Sequence, residues 1–179
     1  HRKTGVEEQE RRRGVLFEQF ARLNNWSRFI GPGHWPDADM LPLGVLGMGK
    51  WKSHFTRDEQ YTMMTLWSMA RSPLIMGGDL TKLDDFTLSL LTNQEVIAVD
   101  QNSTGNRQLF KRDGFVAWVA DVPGATDRYL ALFNTRDPQT NSPGATVTVQ
   151  LSEIGFAGAS KVRDLWAQKD LGEFSGEFA

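Results

Sequence analysis

The feature that most restricts the fold of this chain is a change in sequence pattern near residue 103. Before it, helix-like segments alternate with short apolar runs, whereas after it the sequence consists of short β-rich runs. Alternating strands and helices are typical of parallel βα units, and closely spaced short strands are typical of an antiparallel sheet or sandwich. We therefore expect an α/β part, residues 1–103, and an all-β part, residues 104–179, which meet near Asn102–Asn106.

Helical spacing and short apolar runs predict the elements of the first part. Apolar residues recur at helical spacing over Val6–Leu23 and Thr56–Arg71. A further helix is predicted over Asp84–Leu91, because Asp84 and Asp85 suit a helix N-terminus. The apolar runs Phe29–Ile30 and Leu74–Met76 are predicted to be short strands. A parallel arrangement of these strands would place the loops that follow them at one edge, where functional residues commonly lie.

Five runs of the second part are predicted to be strands, namely residues 107–111, 115–121, 129–134, 145–151 and 161–166. Asp113-Gly114 predicts a tight hairpin turn between the first two. We expect Trp118 and Trp166 to pack in the core of the sandwich or between its sheets, because tryptophan buries a large apolar surface.

The composition excludes several classes of function. The net charge is -2, which gives no basic surface for nucleic acid, and no apolar run is long enough for a membrane helix. The absence of cysteine excludes disulfides and thiolate metal sites, and none of the three histidines pairs with another at metal-binding spacing. Because the chain starts without methionine or an apolar segment, we expect no signal peptide, and both ends resemble cuts rather than natural termini.

The densest group of candidate functional residues is the segment His34–Met40. Asp37 and Asp39 lie two residues apart beside Trp35, in a segment punctuated by proline. Carboxylates accept hydrogen bonds from sugar hydroxyls, and an aromatic ring can stack on a sugar face. The alternative is a rigid loop whose aspartates cap neighbouring turns.

The string Gly31-Pro32-Gly33-His34-Trp35-Pro36-Asp37-Ala38-Asp39-Met40-Leu41 resembles the signature loop of glycoside hydrolase family 27, the α-galactosidases. Arg71–Ile75, Gly78–Leu80 and Leu91–Gln101 follow in the order of the family. The resemblance implies a (β/α)8 TIM barrel followed by an antiparallel β-sandwich. Residues 1–103 would then be the incomplete C-terminal βα units of the barrel, and residues 104–179 a sandwich truncated at its end.

The implied activity is the retaining hydrolysis of terminal α-linked galactose, which needs no cofactor or metal. By similarity, Asp39 and Met40 match positions that line the galactose pocket, and Trp35 and Asp37 match neighbours that shape it. Active sites of such barrels lie at the C-terminal ends of the strands, and we expect this loop to follow a strand there.

The catalytic residues of the family have no clear match in the chain. The family's nucleophile lies in a Lys-x-Asp string on an earlier strand, and no such string precedes Gly31. The acid/base aspartate lies four residues after an arginine; if Arg2 is that arginine, the position is Val6, which cannot transfer a proton, and Glu7 and Glu8 are displaced from it. We therefore expect no catalytic residue within the chain, and no activity of the chain alone.

Two alternatives remain open from the sequence. One is a noncatalytic carbohydrate-binding or scaffold module, and the other is a family relative that acts on an α-N-acetylgalactosaminide or a β-L-arabinopyranoside. Two βα units cannot close a barrel, so the fold is expected to need an upstream barrel half. Without it, the apolar faces around Met63, Trp67 and Leu74 should stay partly uncovered. The expected partners are α-galactoside sugars, and the family implies an extracellular or periplasmic parent.

Overall fold

A computed structural model describes residues 5–136 and 145–179, without the side chains of residues 5–13. The first part contains four helices, α1 Gly5–Ser27, α2 Arg57–Ala70, α3 Asp85–Leu91 and α4 Gln94–Asn102. A short hairpin of β1 Val45–Leu46 and β2 Trp51–Lys52 precedes α2. In the described ranges, no helix combines the length and the apolar character that crossing a bilayer requires.

Helix α2 lies at the centre of the first part. It begins with a capping box, in which the Thr56 hydroxyl accepts the N–H of Glu59 and the Glu59 carboxylate accepts the N–H of Thr56. Met63 and Trp67 are each only 3% exposed, because α1, α4 and the following sheet pack around this helix. The expectation that these two side chains stay uncovered was therefore wrong.

The strands predicted in the first part were only partly correct. Phe29 and Ile30 continue the turn that ends α1, since their N–H groups donate to the carbonyls of Trp26 and Ser27. The predicted strand at residues 74–76 forms one parallel bridge, between Leu41 and Met76.

Prolines at positions 42 and 73 restrict this parallel pairing, because proline has no N–H to donate. Around the bridge, Leu41 donates to the carbonyl of Ile75 at 2.7 Å, and Gly77 donates to the carbonyl of Leu41 at 2.9 Å. The segment 34–40, which contains the candidate site residues, therefore leads into the paired Leu41 instead of following a strand at residues 29–30, contrary to the expectation.

The second part begins with an antiparallel sheet of β3 Thr104–Arg112, β4 Phe115–Asp121 and β5 Arg128–Asn134. Asp113 and Gly114 connect β3 to β4 with φ values of 49° and 77°. Positive φ at both central residues is the geometry of a two-residue hairpin turn whose twist matches the flanking strands. The predicted hairpin is confirmed.

Alternating residues of β4 face two different cores. Val116, Trp118 and Ala120 belong to the core formed with the helices, where the rings of Phe20 and Phe133 meet at 4.9 Å. Ala117 and Val119 belong to a second core with residues 149–154. Trp118 is thus a core residue, as predicted, but it packs towards the helices and not between two sheets.

The remaining strands form two short antiparallel pairs, β6 Val149–Gln150 with β9 Glu177–Phe178 and β7 Ser160–Asp164 with β8 Lys169–Phe174. The predicted strand 145–151 is shorter because a 3-10 turn, Leu151–Ile154, follows β6 directly. The predicted strand 161–166 ends early because the Asp164 carboxylate accepts the N–H groups of residues 166 and 167 and turns the chain.

Polar contacts connect the two parts around the shared core. The Trp166 indole donates to the Thr65 hydroxyl at 2.9 Å, and the Asn93 amide donates to the Leu165 carbonyl at 2.9 Å. At the surface, the Arg163 guanidinium forms two hydrogen bonds with the Glu95 carboxylate. Helix α4 ends at Asn102 and β3 begins two residues later, and the division into domains 1–103 and 104–179 remains a prediction.

Candidate functional site

The candidate loop, residues 34–41, begins with a tight turn. Gly31 and His34 exchange backbone hydrogen bonds of 3.1 and 2.8 Å around Pro32-Gly33. Gly33 has φ 81°, a conformation that glycine adopts without a steric cost. The turn therefore fixes where the loop starts.

Both aspartates of the loop use one carboxylate oxygen to hold the backbone. The Asp37 carboxylate accepts the N–H of Asp39 at 2.9 Å, and the Asp39 carboxylate accepts the N–H of Met40 at 2.6 Å. Asp39 has φ 76°, which is uncommon outside glycine and is best tolerated by asparagine and aspartate. The capping role considered from the sequence is thus present at both positions.

Asp39 and Met40 are nevertheless presented to solvent. Asp39 is exposed, and 53% of Met40 is accessible. On either side of them, Ala38 and Leu41 are buried. A strained, exposed aspartate between two buried anchors can accept a hydrogen bond from a ligand with little rearrangement.

The C-terminal half of α2 and the residues after it hold this loop. The Trp67 indole donates to the carbonyl of Asp39 at 2.9 Å, and the Ser72 hydroxyl accepts the N–H of Ala38 at 2.9 Å. Sequence reasoning missed both contacts, since each joins positions far apart in the chain.

Trp35 is packed against a cation. The Arg71 guanidinium lies 4.0 Å from the centre of the Trp35 ring, and 39% of Trp35 remains exposed. A guanidinium on an aromatic face is a favourable contact. Because Arg71 lies directly after α2 and covers one face of the indole, it supports the loop at Trp35.

Asp100 on α4 has a perturbed titration. Burial raises the pKa of its carboxyl to about 6, although the nearby Arg71 charge opposes this shift. Its Oδ1 atom is buried without a hydrogen-bond partner among the described residues. Nothing in the sequence distinguished Asp100 from the other surface acids of the helices.

From the sequence, Asp79 after Gly77-Gly78 can be either a residue at the pocket rim or a cap of the next turn. In the structure it caps the 3-10 turn Leu80–Lys82. Its carboxylate accepts both the N–H and the hydroxyl of Thr81. These hydrogen bonds lower the pKa of Asp79. The capping interpretation is therefore the one that the geometry supports.

A cavity of about 520 Å³ lies between α1 and the loop. Its walls are residues of the last turns of α1 together with the loop itself: Gln19, Arg22, Leu23, Trp26 and 36–39. The cavity therefore borders the backbone of Asp37 and Asp39. The α1 residues were predicted only as part of an amphipathic helix.

The position matched to the acid/base residue, Val6, lies in the first turns of α1, but its side chain and those of Glu7 and Glu8 lie outside the described residues, as does all of Arg2. The prediction that the chain holds no catalytic residue therefore stays a prediction.

Two family models match the chain. The melibiase model described as alpha galactosidase A matches residues 15–102, and the model described as the alpha galactosidase C-terminal beta sandwich domain matches residues 112–179. The two matches follow each other in the order that the fold has.

Plant enzymes are similar over most of the chain. An alpha-galactosidase of Oryza sativa subsp. japonica is 33% identical, over 88% of this chain and 36% of the rice protein. Alpha-galactosidase 3 of Arabidopsis thaliana is 35% identical, over 84% of this chain and 33% of that protein. The chain thus spans about a third of the length of these relatives.

Solved structures give the same result. A GH27 β-L-arabinopyranosidase of Geobacillus stearothermophilus is 40% identical with a TM-score of 0.85, over 93% of this chain and 38% of that one. A protein of Bacillus halodurans C-125, provisionally assigned as an alpha-N-acetylgalactosaminidase, is 34% identical with a TM-score of 0.81, over 93% and 40%. The chain therefore belongs to glycoside hydrolase family 27, the α-galactosidase or melibiase family.

Proposed function

We propose that this chain supplies the sugar-binding loop and the adjoining β-sandwich of a retaining glycosidase that cleaves terminal α-linked galactose. The observation that carries the proposal is the exposed pair Asp39 and Met40, held between buried anchors at the parallel bridge. Asp39 would accept hydrogen bonds from sugar hydroxyls, while Met40 would pack its flexible thioether against the sugar C–H surface.

Trp35 and Asp37 act on the sugar through the loop in this proposal. Asp37 holds the N–H of Asp39, and Trp35 rests on Arg71. They therefore shape the pocket, and loss of either would displace Asp39.

Retaining hydrolysis requires two carboxyl groups about 5 Å apart, one as nucleophile and one as acid/base. The Lys-x-Asp string of the family's nucleophile is missing before the loop, and Val6 stands at the position matched to the acid/base. We propose that the nucleophile comes from a barrel strand outside this sequence and that no residue of this chain acts as the acid/base, so that the chain alone binds part of the substrate without hydrolysing it.

This proposal predicts that the isolated chain does not hydrolyse p-nitrophenyl α-galactopyranoside above the rate in buffer. The assay is release of p-nitrophenol, with Asp39→Ala as the paired variant. Robust turnover by the chain that Asp39→Ala abolishes would show that a complete site exists here.

A second candidate is the hydrolysis of β-L-arabinopyranosides, and its support is the 40% identity with the Geobacillus stearothermophilus enzyme. β-L-arabinopyranose has the ring of α-galactose without the C6 hydroxymethyl group, so the same loop could bind either sugar. Within a complete barrel, the ratio of kcat/KM for the p-nitrophenyl glycosides of α-galactose and β-L-arabinopyranose distinguishes these two activities. A p-nitrophenyl α-N-acetylgalactosaminide tests the third activity of the family relatives, the hydrolysis of α-N-acetylgalactosaminides.

A noncatalytic carbohydrate-binding module is favoured by one observation, the burial of Met63 and Trp67 within the chain itself. A module should melt cooperatively as a monomer and bind galactose without further polypeptide. Sedimentation, thermal unfolding and a galactose titration test this alternative together.

A further inference from the structure

Arg71 lies directly after α2 in a backbone conformation that is unfavourable for arginine. Its φ is 54° and its ψ is 38°, which is the left-handed region. Helices commonly end in this conformation at glycine, because a side chain there is strained. We therefore expect the arginine side chain to have a role of its own at this position.

The Arg71 guanidinium binds the α4–β3 junction, residues 100–106, at the end of α4 and just before β3. It donates to the carbonyls of Asp100, Gln101 and Ser103 at 2.8, 2.8 and 2.7 Å. The last carbonyls of a helix lack intrahelical partners and carry partial negative charge, so a planar cation with several donors suits them well.

A second residue reinforces this contact. The buried Asn106 amide donates to the Met69 carbonyl at 2.8 Å and to the Ser103 hydroxyl at 2.7 Å. The segment 100–106, where the helical part passes into the sheet, is therefore bound both to Arg71 and to Met69 in the last turn of α2.

The same guanidinium lies on Trp35, and the neighbouring Ser72 hydroxyl accepts the N–H of Ala38. One short segment after α2 thus contacts both the α4–β3 junction and the loop that presents Asp39. Movement of the junction would move Arg71, and with it the surface on which Trp35 rests.

We propose that Arg71 is a positioning residue that fixes the loop 34–41 to the α4–β3 junction, so that the placement of Asp39 depends on how the β-rich part is attached. The inference rests on the proposed function only for the identity of the loop's ligand. The coupling itself is a property of this chain and can be measured without sugar.

The test is amide hydrogen exchange in the full chain, at a temperature far below unfolding. We expect Arg71→Lys and Arg71→Gly to raise the exchange of residues 38–40 by about tenfold, the effect of losing a favourable cation–π and hydrogen-bonded contact. Lysine keeps the charge but not the planar fork, and glycine removes the side chain while relieving the backbone strain. Faster loop exchange in Arg71→Gly despite that relief identifies the guanidinium as the cause.

Thr65→Val is the matched control, since it lies on α2 and removes the hydrogen bond from Trp166 without touching the loop. We expect it to lower stability and leave exchange of the loop unchanged. Loop exchange in both Arg71 variants equal to that of the control would overturn the proposal, as would a change confined to the junction. Failure of the hydrolysis assays would leave this result standing, because no sugar is present in the exchange experiment.

Discussion

Replacing Asp100 with asparagine should stabilise the chain at neutral and alkaline pH and have no such effect near pH 3. Burial raises the pKa of this carboxyl from 3.8 to about 6 despite the Arg71 charge, and its Oδ1 atom is buried without a partner among the described residues. Asp100 also lies in the last turn of α4, where the helix dipole disfavours a negative charge. Asparagine keeps the shape of the side chain and removes the charge.

The magnitude follows from linkage between protonation and folding. A raised pKa means that the folded state holds the Asp100 proton more tightly than the unfolded state does. The contribution of protonated Asp100 to the free energy of unfolding is therefore fully present below pH 4 and is lost as pH rises through about 6. The difference between 3.8 and about 6 corresponds to about 3 kcal/mol for a fully buried group. Asp100 is only half-buried, and solvent screening reduces the expected gain of Asp100→Asn at pH 8 to about 1–2 kcal/mol.

The assay is urea denaturation of both proteins at steps from pH 3 to pH 8, with the exposed Asp127→Asn as the control for loss of one negative charge. The free energies of unfolding of wild type and Asp100→Asn should diverge between pH 4 and pH 7, and those of the control should run parallel to wild type. A gain of equal size at every pH, or a loss at pH 8, would show that ionisation of Asp100 does not destabilise the folded chain.

Two further substitutions test the packing. Gly78→Ala would make a methyl group clash with the Leu43 carbonyl oxygen and lie 3.0 Å from that of Val45, and we expect a loss of about 3 kcal/mol in urea denaturation. Gly158→Ala, which meets nothing within 4 Å, is its control and should change stability by less than about 0.5 kcal/mol. Trp166→Phe removes the hydrogen bond to Thr65 and should cost about 1 kcal/mol or more, with a lower melting temperature as the readout; an unchanged melting temperature would contradict the assigned contact.

The elements that local chemistry specifies could be predicted from the sequence. The turn at Asp113-Gly114 needs two positive φ values, and these two residue types tolerate them. The start of α2 follows from the reciprocal contacts of Thr56 and Glu59. Such features depend on residues within a few positions of each other, which a sequence displays directly.

The errors concern contacts between distant positions. Phe29–Ile30 is too short an apolar run to distinguish a strand from a turn, and hydrogen bonds to the end of α1 decide it. Met63 and Trp67 are covered by α1, α4 and the sheet, which no local pattern reports.

For the candidate site, the residue types of the loop were visible in the sequence but its support was not. Asp37, Asp39 and Met40 stood out as neighbours, whereas Arg71 beneath Trp35 and the indole of Trp67 on the Asp39 carbonyl come from another element. The position of a functional side chain is set by such nonlocal contacts, so sequence reasoning found the loop and missed what holds it.

Glycoside hydrolysis by a chimera tests whether the loop 34–41 belongs to the sugar pocket of a glycosidase. Residues 15–179 of this chain would replace the matching segment of the Geobacillus stearothermophilus arabinopyranosidase, and circular dichroism would verify the fold. We predict that the chimera hydrolyses p-nitrophenyl α-galactopyranoside or β-L-arabinopyranoside, and that Asp39→Asn lowers kcat/KM by about 100-fold or more while Asp127→Asn does not. A folded, active chimera in which Asp39→Asn has no effect would contradict the assignment of this loop to the sugar pocket.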